Sequence, residues 1–142
     1  MISLTQNATR YVSKLSNKLR RKLDMLSSRK EFGGSQGRVL QFLLSQTDDV
    51  FQKDIEEEYS IRPSTATEML KQMENKGLIL REPVDYDHRL KKIVVTEKAL
   101  HYKQQVIKDL TALEESLIKD IPEAELKIFF AVIEKMMDNI SE

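Results

Sequence analysis

Apolar residues recur every three to four positions at Leu4, Ala8, Tyr11 and Val12, Leu15, Leu19, Leu23 and Leu26, which predicts one long amino-terminal helix. Such a helix is long enough to leave the globule. The Gly33-Gly34 pair should break it, with Ser35 placed to cap the next helix, whose Val39, Leu40, Phe42, Leu43 and Leu44 mark it as buried. A short turn over Gln46 to Val50 leads to a brief helix from Gln52 to Tyr59, with Ile55 and Tyr59 inward and Glu56-Glu57-Glu58 outward. That acidic run reads as a solvated face rather than a metal site.

Ser60-Ile61-Arg62 is too short for anything but a tight turn, and Pro63 suits the first position of a helix because it has no amide hydrogen to lose. The helix from Pro63 to about Lys76 puts Ala66, Met69, Leu70 and Met73 on one face and Ser64, Thr67, Glu68, Lys71 and Asn75 on the other, and Gly77 ends it. Two short helices around so tight a turn make a helix-turn-helix. The period then becomes strand-like. Leu78 to Arg81 and Lys92 to Thr96 flank a polar Pro/Asp stretch reaching Arg89, a pattern that predicts a β-hairpin, here a wing. Thr96 can cap the following helix with Glu97 in its first turn, and Leu100, Val106, Ile107, Leu110, Leu113 and Leu117 continue it. After Ile121-Pro122 a last helix carries Leu126, Phe129, Phe130, Ile133, Met136, Met137 and Ile140 on one side. The fold class expected is mainly α with a small β-hairpin wing: a winged helix-turn-helix with long terminal helices.

The exposed face of the second helix of such a motif fits the major groove of a duplex, since a helix is only about 12 Å across. Its chemistry agrees. Ser64, Thr65 and Thr67 can serve phosphate or base, Lys71 can reach guanine or phosphate, and Glu68 can accept from a cytosine amine while repelling phosphates at poorly matched sites. The wing adds Asp87-His88-Arg89 at a hairpin tip, an arginine on an extended arm whose position a carboxylate two residues away can hold. The negative potential of a minor groove favours such a guanidinium. Arg62, Arg81, Lys91 and Lys92 flank the same stretch. Two plainer readings stay open, that the helix face is an ordinary polar surface and that Asp87 and Arg89 form a structural ion pair.

Composition changes the picture mainly by exclusion. A length of 142 residues fits one domain, or one core with extended helices attached. With no cysteine, disulfides, thiolate metal sites and thiol redox sensing are excluded, and His88 and His101 alone make a zinc site a poor fit. No apolar run nears the roughly 18 residues of a membrane span, and no leader is seen at the amino terminus, so a cytoplasmic location is expected. The 23 basic and 23 acidic residues cancel, yet they segregate along the chain. Residues 1–34 carry eight basic and two acidic, 35–59 two and six, 60–92 seven and five, and 93–142 six and ten. Phosphate contact depends on the local face, so a neutral total allows duplex binding while predicting modest non-specific affinity. The cations of the first block, Arg10, Lys14, Lys18 and Arg20 to Lys22, suit a solvated face as well as phosphate contact.

Taken together, Ser64-Thr65, Lys76-Gly77-Leu78-Ile79, Arg81, Asp87-His88-Arg89 and Val95-Thr96-Glu97-Lys98 resemble the multiple antibiotic resistance regulator (MarR) family, and the resemblance runs over essentially the whole chain. Asp-x-Arg followed by a strand and Thr is its most specific signature. Three departures stand out: Arg62 replaces the usual small polar cap, Ala99 sits where glycine is common, and there is no cysteine. The resemblance implies a homodimeric transcriptional regulator, a repressor in the first instance, with the Pro63 to Lys76 helices in successive major grooves and each Arg89 in a minor groove. It also implies a small aromatic or anionic effector. Tyr11, Met25, Phe32 and Phe42 are candidate lining groups that serve equally as plain core, and no ligand residue is assigned.

Both terminal helices carry apolar stripes wider than a small core can cover, so the Leu4 to Leu26 face is expected to interleave with the Phe129 to Ile140 face of a second chain. Residues 1–34 then form a dimerisation helix and linker, 35–98 the DNA-binding lobe, and 99–142 the carboxy-terminal dimerisation helices. The operator should be pseudo-palindromic, with half-sites about one helical turn apart. The DNA-contacting set expected is Arg62, Ser64, Thr65, Thr67, Glu68, Lys71, Asp87, Arg89 and Lys91, with no catalytic residue, cofactor or metal. A protein-interaction module would not need Lys71, Arg89 and their neighbouring cations. An enzyme would need more than Asp85, Asp87 and His88, which lack further ligands and a phosphate cradle.

Overall fold

The computed structural model describes residues 1–26 and 34–141, which fall into two compact units, Met1–Thr111 and Ala112–Glu142. The first opens with α1 (Ala8–Asp24), shorter than the apolar spacing predicts. The side chain of Asn7 accepts from the Arg10 amide and starts the helix there, so Leu4 lies before it; Met25 ends it, so Leu26 lies beyond. α2 (Gly34–Ser45) begins one residue before Ser35, which is therefore inside the helix and not its cap. Gly33 and Phe32 lie outside the described residues.

Val39, Leu40 and Leu43 of α2 meet Val50, Ile55 of α3 (Gln52–Tyr59), and Leu70 and Met73 of α4 (Pro63–Asn75) in one core. Leu78, Ile79, Ile93, Ala99 and Val106 complete it. Phe42 meets Tyr59 edge to face at 6.2 Å, and the Tyr59 hydroxyl donates to the Arg38 carbonyl at 2.7 Å. Burial pushes that phenol up to about 12, with Arg38 opposing and Glu58 adding to the shift, so it stays a donor at neutral pH.

The hairpin is longer and its turn tighter than the sequence suggests: β1 (Ile79–Val84) pairs antiparallel with β2 (Asp87–Val95) across Asp85-Tyr86 alone. Buried Val84 pairs with Asp87, but the next pair is Pro83 with Lys91, so His88, Arg89 and Leu90 have no partners in the ladder. Pro83 has no amide hydrogen to contribute, and a bulge is where such a residue is tolerated. At its base, Ile93 donates to the Val50 carbonyl at 2.7 Å, tying the hairpin to the turn before α3.

Thr96 is a cap, as its spacing predicts: its hydroxyl accepts from Ala99 at 3.2 Å and donates to the Gly77 carbonyl at 2.6 Å. One side chain thus joins the end of α4 to the start of α5 (Glu97–His101). Thr96→Val is expected to cost about 1–2 kcal/mol in urea unfolding; a loss below about 0.5 kcal/mol would deny the hydroxyl this linking role. The long helix expected after Thr96 is in fact two, because the chain turns at Tyr102 before α6 (Lys103–Leu117). In the second unit Asp120 adopts a left-handed φ of 61°, Pro122 precedes α7 (Glu123–Ile140), and no residue of α7 is buried. Ile128, Phe129, Phe130, Met137 and Ile140 are all exposed. No helix among the described residues is long and apolar enough to cross a membrane.

Candidate nucleic-acid interface

The turn between α3 and α4 is closed by Ser60, a non-glycine residue at φ 50°, and by the Ile61 amide donating to the Glu56 carbonyl at 3.1 Å. A left-handed serine costs about 1–2 kcal/mol, a cost the surrounding turn bears to bring α4 in at a fixed angle. Arg62 caps α4 with backbone only, its side chain making no capping bond, and Pro63 takes the first helical position. At the far end Gly77 is left-handed at φ 74°, and the Lys98 ammonium donates to the Lys76 carbonyl at 2.7 Å.

With Ala66, Leu70 and Met73 buried, the opposite face of α4 presents Ser64, Thr67, Glu68 and Lys71 to solvent as their spacing predicts, and Thr65 is exposed beside them. Ser64, Thr65, Glu68, Met69 and Gln72 line one side of a hollow of about 480 Å³, with Asp24, Ser35 and Gln36 opposite. None of Tyr11, Met25 or Phe42 lines this hollow. Phe42 instead borders a separate acidic depression with Asp48, Asp49, Asp54, Glu57 and Glu58.

On the hairpin, Asp87, His88 and Arg89 belong to the start of β2 and not to the turn itself, a correction that follows from the pairing of Val84 with Asp87. Asp87 accepts from the Arg89 amide at 3.0 Å and from Arg89 Nε at 3.3 Å, while the Arg89 side chain remains 91% exposed. The carboxylate therefore orients the guanidinium without covering it. Lys91 is exposed on the same strand, and Lys92 lies 3.8 Å from Asp49.

Two supporting residues escape the sequence reading. Gln36 is buried, donates to Gln72 Oε1 at 3.1 Å and accepts from Lys76 Nζ at 3.3 Å, and Gln72 in turn reaches Glu68 at 3.4 Å. It precedes Val39 and Leu40 by three and four positions, so a polar residue on the buried stripe was the available signal. Gln52 Nε2 has two hydrogens and three acceptors in reach, Thr67 Oγ1 at 2.9 Å, Glu56 Oε2 at 3.1 Å and the Pro63 carbonyl at 3.3 Å, and Gln52 Oε1 accepts from Arg81 Nη2 at 3.2 Å. No periodicity announces it, because its partners outside α3 lie 11, 15 and 29 residues away.

The MarR family model matches residues 35–91, from the first turn of α2 into the bulged strand of the wing. The uncharacterized HTH-type transcriptional regulator YdgJ of Bacillus subtilis (strain 168) is 26% identical over 110 residues, 77% of this chain and 67% of that protein. Residues 35–91 are a MarR-family segment. YdgJ is named a transcriptional regulator, and among the described residues Asp85, Asp87 and His88 form no group that could hold a metal ion. The MarR fold is shared with S. aureus MepR, solved as a DNA complex: TM-score 0.84, 23% identity, 95% of this chain and 99% of that one. CouR from Rhodococcus jostii RHA1, solved bound to p-coumaroyl-CoA, has a TM-score of 0.78 at 15% identity over 96% and 95% of the two chains. The matched segment contains both the exposed face of α4 and the Asp87–Arg89 pair.

Proposed function

We propose that this chain is a MarR-family regulator that binds a pseudo-palindromic operator in double-stranded DNA as a homodimer and represses transcription in the cytoplasm. α4 enters the major groove with Ser64, Thr65, Thr67, Glu68 and Lys71 toward base edges and phosphates, and Arg62 and Lys91 reach the flanking backbone. Asp87 holds Arg89 for the adjacent minor groove. The observation that carries this reading is the exposed hydroxyl and charged face of α4 together with a guanidinium that is oriented by a carboxylate yet left 91% exposed. The DNA complex of MepR, which has the same fold, supports it.

Residues 35–98 form the DNA-binding lobe, and 1–34 and 99–142 supply the dimer contacts. Support comes from apolar faces left open within each unit: Tyr11, Val12 and Leu15 on α1, and Phe129, Phe130 and Ile140 on α7. Burying such faces against a second copy is worth roughly 25 cal/mol per Å². The purified chain is therefore expected to sediment at micromolar concentration as twice 16.5 kDa, and a single 16.5 kDa species would refute the dimer. A small aromatic or anionic effector acts on the same protein; the acyl-CoA held by CouR, which has the same fold, supports this part of the reading. Selection of bound sequences from a random duplex library by the full chain tests the whole. A two-fold repeated motif is expected, and recovery of no motif would reject sequence-specific binding.

A further inference from the structure

We infer that Gln52 is a positioning residue that fixes Thr67 as a hydrogen-bond donor toward the duplex and locks the wing to the reading helix; this rests on the DNA-binding reading above. The orientation of the Gln52 amide is forced. Arg81 has only donors, so the atom facing its Nη2 at 3.2 Å must be the amide oxygen. The Pro63 carbonyl and the Glu56 carboxylate have only lone pairs, so the atom facing them at 3.3 and 3.1 Å must be the NH₂ group. A flipped amide would set donor against donor at Arg81 and acceptor against acceptor at the other two.

The same NH₂ group lies 2.9 Å from Thr67 Oγ1. The NH₂ group has two hydrogens for three acceptors, and the two nearest, Thr67 Oγ1 and Glu56 Oε2, take them; the Thr67 oxygen thus receives an N–H, and its own proton is turned away from Gln52. Thr67 is exposed on the outward face of α4. Its proton is thus the group offered to the duplex, and it seeks an acceptor: a phosphate oxygen, or a base acceptor in the major groove. On the other side, Gln52 supplies the acceptor for Arg81 at the root of β1, whose buried Nε has no partner among the described residues. One amide at the first position of α3 therefore spans α4 and the hairpin, the two parts that must meet adjacent grooves together.

Four variants separate these roles in measurements on the full chain. Gln52→Leu removes both links. Gln52→Glu, made together with Glu56→Gln so that no two carboxylates meet, keeps an acceptor for Arg81 but loses the N–H at position 52, so the Thr67 proton turns inward to the carboxylate. Thr67→Val removes the hydroxyl, and Thr67→Ser restores it. In the DNA-free protein, Gln52→Leu is expected to speed amide exchange in β1 and in the first turn of α4 together, and Gln52→Glu with Glu56→Gln to leave β1 protected. A response in only one element for Gln52→Leu would overturn the linkage. On a duplex selected by the wild-type chain, Thr67→Val, and Gln52→Glu with Glu56→Gln, are each expected to weaken binding about tenfold. The variant combining both should be no weaker than either alone, and Thr67→Ser should stay near wild type. Multiplied losses of about a hundredfold in the combined variant would overturn the donor assignment. Base-pair substitutions under α4 then identify the acceptor: a loss in Thr67→Val confined to one base pair marks a base edge, and a uniform loss marks phosphate. A wild-type chain that selects no duplex, with exchange behaving as expected, overturns the donor role and the DNA reading while the linkage stands.

Discussion

Arg89→Ala is expected to weaken operator binding by about 1–3 kcal/mol at fixed salt while leaving folding and dimerisation unchanged. The two halves of this expectation have different causes. The pair formed by Arg89 and Asp87 at 3.3 Å is open to solvent on the arginine side, and an exposed ion pair contributes little to stability. What the duplex loses is a guanidinium already aimed, so that little side-chain entropy remains to be lost on entering a narrow groove. Arg89→Lys should recover only part of the affinity, because an ammonium is a point charge with a stronger hold on its water. Fluorescence anisotropy on a selected duplex measures both variants, and undiminished affinity of Arg89→Ala would remove the wing from the contact surface.

Leu70→Ala carries the largest expected cost, about 2–5 kcal/mol of stability. Leu70 is fully buried on the inward side of α4, within the same cluster as Ile55, Met73, Leu78 and Ile79. Truncation leaves a void that backbone on several sides, α3, α4 and the hairpin root, is poorly placed to close. Because a dimer ties stability to concentration, the comparison with wild type belongs at one fixed protein concentration in urea. A loss below about 1 kcal/mol would mean that the lobe collapses freely around the site, and α4 would then not be rigidly seated.

What could be read in advance followed the reach of the interactions involved. Gln52 to Tyr59, the turn, Pro63 to Asn75 and the Thr96 cap are all set by neighbours within a few residues, and spacing or a single residue type exposes them. The ends of α1 were hidden because Asn7 provides a cap inside an otherwise continuous apolar stripe. The hairpin was mistaken in length because Pro83, Asp85 and Asp87 look like a loop, whereas Val84 is buried and holds the strands together down to a two-residue turn. The break at Tyr102 interrupts a helix whose apolar pattern continues across it, so periodicity cannot disclose it. Of the contact surface, the outward residues of α4 and the Asp87–Arg89 pair were legible one by one. Gln52 was not, since its role exists only when residues from three elements converge.

The unpaired stretch opposite Pro83 has a consequence for solubility as well as for reach. A protruding two-stranded ribbon offers free edges to which another molecule could add a strand, the first step toward aggregation. Here the inner edge is engaged by Val50 at Ile93, and along the outer portion Pro83 withholds one amide while Glu82, Lys91 and Lys92 place charge beside the rest. The irregularity that throws Arg89 outward thus also spoils the template, so the arm can stand clear of the globule without recruiting its own kind.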